Sequence, residues 1–230
     1  MLEKLKAEVA AANRMLPQLG LVSFTWGNVS GIDRASGLIV IKPSGVAYEA
    51  LTAEKMVVVR LSDGAVVEGE LRPSSDTPTH RVLYEAFPEI GGCVHTHSTY
   101  AVGFAQACLP IPALGTTHAD CFHGDIPLAR PLTEEEIRGA YEENTGRTIV
   151  EAFAALDPTA IPAVLCAFHG PFAWGRTPAE AVEHIAVAEE CARMAFISRM
   201  LRPDGPRLPQ ALADKHYERK HGKDAYYGQK

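Results

Sequence analysis

The stretch "GGCVHTHSTYA" (residues 91–101) closes a short apolar run with two imidazoles, His95 and His97, one residue apart. On an extended strand alternate side chains share a face, so both rings project the same way and offer nitrogen donors to a divalent metal. An isolated His-x-His pair more often packs one ring and solvates the other, so the chemistry requires further donors. His169, before "GPFAWG", ends a second apolar run, and the glycine after it permits a close turn that bares the ring. Asp76 in "RPSSDTPTH" is the best carboxylate for the same centre, against the competing reading of a helix N-cap. Three histidines at strand ends plus a carboxylate make a catalytic type of metal site, with room left for substrate oxygens.

Two loops look built for an anion. "KPSG" ends a strand with Lys42, Ser44 and Gly45, while "SSD" sets Ser74 and Ser75 before a helix. Free amides and hydroxyls at a helix N-terminus favour phosphate. Each loop alone is an ordinary turn followed by a cap. Together with Gly27 and Asn28 in "TWGNVSG", which offer a tight turn and an amide side chain, they suggest a phosphorylated substrate.

The elements that must carry these groups follow from periodicity. Leu2, Leu5, Val9 and Leu16 predict an amphipathic helix stopped before Pro17. Residues 38–42 and 56–61 predict strands, the second joined through "SDG" to "AVVEG" as a hairpin. "DTPTHRVLYEAF" opens a helix with Pro78 in its first turn, and it delivers the chain to the His-x-His strand. Thr133 begins a capping box, "IVEAFAAL" after Gly146 is helical, "PAVLCAFHG" is a buried strand ending at His169, and residues 179–201 form the longest helix. Helices and strands mix without regular βαβ alternation. The expected fold is therefore α/β, a layered arrangement with a largely antiparallel central sheet flanked by helices, in one domain over residues 1–230.

Composition excludes several classes. With 230 residues and 47% hydrophobic content, the chain can bury a sizeable core. A net charge of −6 argues against nucleic acid as a partner. The cysteines at 93, 108, 121, 166 and 191 are odd in number and contain no Cys-x-x-Cys, so a disulfide framework or zinc ribbon is not expected, and a reduced cytoplasmic compartment fits. The first residues mix Glu and Lys, unlike a signal peptide, and no apolar run approaches membrane-spanning length. The Asn-x-Ser at Asn28 is accordingly not read as a glycosylation site.

"TWGNVS", "IKPSGV", "RPSSDTPTH", "GGCVHTHS", "GTTHAD", "HGPFAWG" and "KHYERKHGKDAYYGQ" occur in order through nearly the whole chain. In this they resemble the L-ribulose-5-phosphate 4-epimerases of the class II aldolase and adducin superfamily. The resemblance implies a divalent metal, usually zinc with Mn2+ or Co2+ as alternatives, held by His95, His97 and His169, with Asp76 as an additional or nearby carboxylate. It implies phosphate and substrate contacts from Gly27, Asn28, Lys42, Ser44, Gly45, Ser74 and Ser75. Acid and base roles fall on Asp120 in "THAD" and Tyr227 in "AYYGQ", and His216 is similar to a further position near the substrate. It also implies a phosphorylated ketopentose as substrate, a role in pentose catabolism such as that of arabinose, and a homotetramer. In that assembly the C-terminal tail, about residues 214–230, covers a neighbouring subunit's site. By composition alone that tail reads as a solvated basic end. Ala167, two residues before His169, cannot bind metal, and His80, His118 and His123 receive no ligand role. A fuculose-phosphate-type aldolase, which typically carries Glu in place of Asp76, and a non-catalytic adducin-like binding module are the alternatives.

Overall fold

Runs of β-branched residues pair edge to edge into one sheet, and apolar helical stripes cover both of its faces. The computed structural model describes residues 2–227; residues 228–230, the end of the expected tail with Lys230, lie outside the described residues. The first half of the chain runs α1 (Glu3–Gln18), β1 (Asn28–Asp33), β2 (Leu38–Ile41), β3 (Val57–Arg60), β4 (Val66–Glu68), α2 (Thr77–Ala86), β5 (Gly92–His95) and α3 (Thr99–Gln106). The second half runs α4 (Thr116–Ala119), β6 (Leu128–Ala129), α5 (Glu134–Arg138), α6 (Tyr141–Ala152), β7 (Ala163–Cys166), β8 (Gly170–Gly175), α7 (Pro178–Leu201) and α8 (Gln210–His221). The strand order is β4-β3-β2-β1-β5-β8-β7-β6, and each neighbouring pair is antiparallel except β6 with β7. This is the layered, mostly antiparallel α/β architecture that the patterning predicts.

Successive residues of β1 reveal the two layers. Ser30 Oγ lies 2.7 Å from His80 Nδ1 and 2.8 Å from the Tyr84 hydroxyl, both on α2. Beside the next residue, Gly31, the other face is filled by Leu5 and Val9 of α1 and by Pro178 of α7. α6 packs on α2, and α3 packs on α7, so helices close both sides. Two strands of the β4 side are almost wholly buried: Ile39, Val40 and Ile41 of β2 and Val57, Val58 and Val59 of β3 have no exposed surface. Full burial of each such side chain contributes about 1.5–3 kcal/mol relative to exposure, which anchors this half of the sheet.

Several elements differ from expectation. α1 runs past Pro17 to Gln18, because a proline in the last turn removes only one ladder bond. The helix then closes at Gly20, whose φ is +68°, with Leu21 N–H donating to the Leu16 carbonyl. The tight turn expected at Gly27 and Asn28 and the close turn expected at Gly170 pass at once into strands, β1 from Asn28 and β8 from Gly170. α6 begins at Tyr141, ahead of Gly146, and ends at Ala152. β7 stops at Cys166, so His169 follows a turn rather than ending the strand. The tail forms α8, a helix with no buried side chain. The capping box stands as expected, with Glu136 N–H donating to Thr133 Oγ1 (3.2 Å) and Thr133 N–H to Glu136 Oε2 (2.7 Å). The five cysteines are free thiols. No helix among the described residues is long and apolar enough to cross a membrane.

Candidate metal centre and active site

β1, β5 and β8 lie side by side, in a register that pairs His95 with Asn28 on one flank and Phe172 on the other. The His95 ring stacks on Phe172, with centroids 4.2 Å apart and planes 18° apart. Its Nδ1 lies 2.9 Å from the Pro171 carbonyl. A carbonyl can only accept, so Nδ1 carries the proton and Nε2 keeps its lone pair. His97, just beyond β5, brings its Nε2 to 3.0 Å from that of His95. His169 arrives through a turn in which Phe168 has φ +63°, and its ring centroid is 4.7 Å from His95 and 5.2 Å from His97. That turn needs the following glycine: a Cβ on Gly170 would stand 2.9 Å from the Thr96 carbonyl oxygen.

One nitrogen from each of the three rings lies within 4.8 Å of the other two. Imidazole nitrogens bound at about 2.0–2.1 Å in a tetrahedron sit roughly 3.3 Å apart, so the His95–His97 spacing needs little adjustment to hold a cation. His169 Nδ1 is buried with no hydrogen-bond partner among the described residues. Burial pushes His95 down to about 3 and also lowers His97 and His169, so all three rings are neutral at pH 7. Neutral rings are the state that ligation requires. The donor set therefore fits a divalent metal.

Asp76 occupies the N-cap of α2, yet its side chain makes no capping bond. Instead its Oδ2 accepts from Asn28 Nδ2 at 2.6 Å. Burial raises the Asp76 carboxyl, but His95, His80, the Asn28 amide and His169 outweigh it, and the net direction is down. Asp76 thus stands as a carboxylate beside the histidines. His80, without a ligand role in the sequence reading, is fully buried behind it against Ser30, and burial lowers it to about 4. His118 Nε2 lies 2.7 Å from the Gly124 carbonyl and His123 Nε2 lies 2.9 Å from Asp214 Oδ1, so both are engaged elsewhere. Ala167 is buried beside β6.

The two loops expected to hold an anion are tied to each other. Pro43 and Pro73 form a β-bridge, Ser44 N–H donates to the Arg72 carbonyl (2.9 Å), and Ser74 N–H donates to the Lys42 carbonyl (3.0 Å). Ser44, Gly45 and Ser75 face solvent, while Ser74 is buried and its Oγ accepts from Asp76 N–H at 3.3 Å. Lys42 is buried with its ammonium 5.1 Å above the Tyr48 ring, and burial lowers it to about 8. The Tyr48 hydroxyl reaches the carbonyls of Trp26 (2.7 Å) and Gly27 (2.9 Å). At Gly27 φ is +93°, and a Cβ would meet the His95 carbonyl oxygen at 2.8 Å. A continuous path of contacts thus links Lys42, Tyr48, Gly27, Asn28 and Asp76 to the histidines.

Asp120 and Tyr227 form a separate group. Asp120, at the end of α4, accepts from Arg219 Nε (3.0 Å, Oδ1) and Nη2 (2.8 Å, Oδ2), and His216 Nδ1 lies 3.1 Å from Oδ1. Burial raises the Asp120 carboxyl, but its bonds to Arg219 and His216 hold it below the usual range. Tyr227 is exposed, and its ring lies 4.6 Å from the Arg219 guanidinium carbon. Within one chain, no hydrogen bond or ion pair among the described residues joins this group to the histidines.

Sequence reasoning missed three neighbours of these groups. Tyr48 follows "KPSG" at close range, and an aromatic just past a buried cation was the available signal. Tyr141 heads α6 with its ring 6.3 Å from that of His169, and nothing in "GAYEENTG" marks it. Arg219 is one of several cations in a basic tail and becomes distinct only through its contacts.

The sequence model of the class II aldolase and adducin N-terminal domain matches residues 7–196. A solved structure named L-fuculose 1-phosphate aldolase is similar at 27% identity and a TM-score of 0.79, covering 94% of this chain and 95% of its own. The L-fuculose-1-phosphate aldolase of Thermus thermophilus is similar at 27% identity and a TM-score of 0.70, over 89% of this chain and 99% of its own. YgbL of Klebsiella pneumoniae is similar at 26% identity and a TM-score of 0.71, over 94% and 99%.

Proposed function

The chain belongs to the class II aldolase and adducin family, and from that premise we propose that it is a metal-dependent epimerase interconverting L-ribulose 5-phosphate and D-xylulose 5-phosphate. The observation that carries this reading is the placement of a carboxylate and a phenol, Asp120 and Tyr227, on one guanidinium. An aldolase that releases its aldehyde handles one face of a carbonyl; inverting C4 requires a group for each face. Asp76, where fuculose-phosphate-type aldolases typically carry Glu, points the same way.

The C4 proton of a 2-ketose phosphate is not acidic, so inversion by simple proton exchange at carbon is closed. Breaking the C3–C4 bond avoids the difficulty. His95, His97 and His169 would hold the divalent cation, zinc being well suited to neutral nitrogen donors, with Asp76 as a further or adjacent carboxylate. When bound, that cation supplies Lewis acidity for the negative charge that builds on the substrate's oxygens. One of Asp120 and Tyr227 accepts the C4 hydroxyl proton as the bond opens. Lys42, Ser44, Gly45, Ser74, Ser75, Gly27 and Asn28 keep the phosphate end of the aldehyde fragment in place while its carbonyl turns over. The bond re-forms on the opposite face, and the second group delivers a proton to the new C4 oxygen.

A site shared between subunits of a homotetramer, with the tail of one chain reaching its neighbour's histidines, is supported by what each chain leaves uncovered. Phe24, Trp26 and Phe168 are 82%, 52% and 66% exposed beside the histidines. Met200 and Leu201, at the end of α7, are likewise bare. Apolar surface of this kind marks a contact between chains.

Incubation of zinc-loaded protein with L-ribulose 5-phosphate and, separately, L-fuculose 1-phosphate, followed by NMR, tests the reading. The expected product is the C4 epimer of the first substrate alone; turnover of the second with release of free aldehyde would make the protein an aldolase instead. Two further results are expected. A hydrogen bond to a charged group contributes about 1.5–3 kcal/mol, so Ser75→Ala should raise KM for the sugar phosphate on the order of tenfold or more. An unchanged KM moves the phosphate elsewhere. Because burial lowers Lys42 to about 8, its charge is present below that pH and lost above it. KM should therefore climb as pH rises through about 8 in the wild type, and a Lys42→Met variant should start from a high KM and show no such climb.

A further inference from the structure

Arg219 makes three kinds of contact at once. Its guanidinium edge grips both oxygens of Asp120, at 3.0 Å from Nε and 2.8 Å from Nη2. Its guanidinium carbon lies 4.6 Å from the Tyr227 ring centroid. Its carbonyl accepts the N–H groups of Tyr226 (3.0 Å) and Tyr227 (3.1 Å), which folds the chain back after α8. Arg219 thus meets the carboxylate through its edge, the phenol ring through its face and the intervening backbone through its oxygen, and Lys220 Nζ adds a second cation 5.0 Å from the same ring.

The remaining contacts leave one opening. His216, one turn before Arg219 on α8, lies 3.1 Å from Asp120 Oδ1, and His221 Nε2 lies 3.0 Å from the Asp120 carbonyl. A carboxylate offers about four lone-pair sites. Arg219 Nε and His216 occupy those of Oδ1 and Arg219 Nη2 takes one of Oδ2, which leaves the last site on Oδ2 for a substrate hydroxyl. Lysine could not reproduce this, because it carries a point charge without a fork or a planar face.

We propose that Arg219 is a positioning residue that locks Asp120 and Tyr227 into one pre-aligned unit, so that both proton-handling groups reach a neighbouring subunit's histidines in fixed relative geometry. The inference rests on the reading of Asp120 and Tyr227 as acid and base. It assigns the fixed geometry to the guanidinium and not to the helix fold alone.

The experiment uses the full-length, metal-loaded protein and whichever of L-ribulose 5-phosphate and L-fuculose 1-phosphate the wild type turns over. Misplacing a reacting group by about 1 Å costs on the order of a hundredfold, so Arg219→Ala should lower kcat by roughly 10- to 100-fold. KM should stay within about twofold, since no phosphate contact is removed, and metal content and assembly should be unchanged. Added guanidinium ion should restore part of the lost kcat, and Arg219→Lys should remain impaired. In an Asp120→Asn background the same substitution should cost little more, because the two residues act as a unit. Full kcat in Arg219→Ala, or losses that multiply in the double variant, would overturn the proposal. Should Arg219→Ala fail to fold, Arg219→Lys decides, and normal turnover in it has the same meaning. Undiminished activity in both Asp120→Asn and Tyr227→Phe would instead remove the acid–base reading itself, a separate result.

Discussion

Replacing His97 by alanine is expected to leave a folded protein without its metal and to lower turnover by roughly a thousandfold or more. Lewis-acid stabilisation is worth several kcal/mol, and each 1.36 kcal/mol is a factor of ten in rate. His97 is the suitable member of the three because its ring is the most exposed, whereas His95 is buried and stacked on Phe172. Its removal opens no core cavity. Elemental analysis after purification, together with a thermal melt, separates loss of metal from loss of fold. Stoichiometric metal in a folded His97→Ala protein would sink the assignment.

Asp120→Asn is expected to retain metal and assembly yet lose at least about a hundredfold in epimerisation, the lower range for a missing general acid or base. Bond opening should persist slowly, so free glycolaldehyde phosphate should be detectable by trapping. A normal rate of epimerisation would make Asp120 structural and turn attention to His216, which shares its Oδ1. The arrangement between subunits predicts a companion result. Tyr227→Phe chains mixed with His97→Ala chains should recover activity, because some sites would combine an intact tail with intact histidines. Absence of recovery after verified subunit exchange argues for a site within one chain.

Much of the fold was legible because burial imposes periodicity. α2, α7, the β3–β4 hairpin and the capping box at Thr133 all follow from apolar spacing and caps. The strands flanking the histidines were the least legible. Gly27, just before β1, and Gly170, the first residue of β8, make the close approach to His95 and Thr96, and glycines at those places read as turns. At Asp76 the chain stands at the N-cap position of α2 but makes no capping bond, because the carboxylate turns to Asn28 instead. Arg219 and Tyr141 had no local signal, because their partners are distant in sequence and only the folded chain brings them together.

α8 buries none of its side chains, and polar contacts dominate its attachment. Besides the Asp120 group, His123 pairs with Asp214 at 2.9 Å, and Arg207 pairs with Asp125 just ahead of the helix. Such contacts respond to ionic strength: the screening length falls from about 8 Å at physiological salt to about 3 Å at 1 M. The histidine centre, held by burial and ring stacking, has no comparable sensitivity. Concentrated salt should therefore reduce kcat at saturating substrate while metal content stays constant, giving an ionic lever that acts on proton transfer and spares the Lewis-acid half of the chemistry.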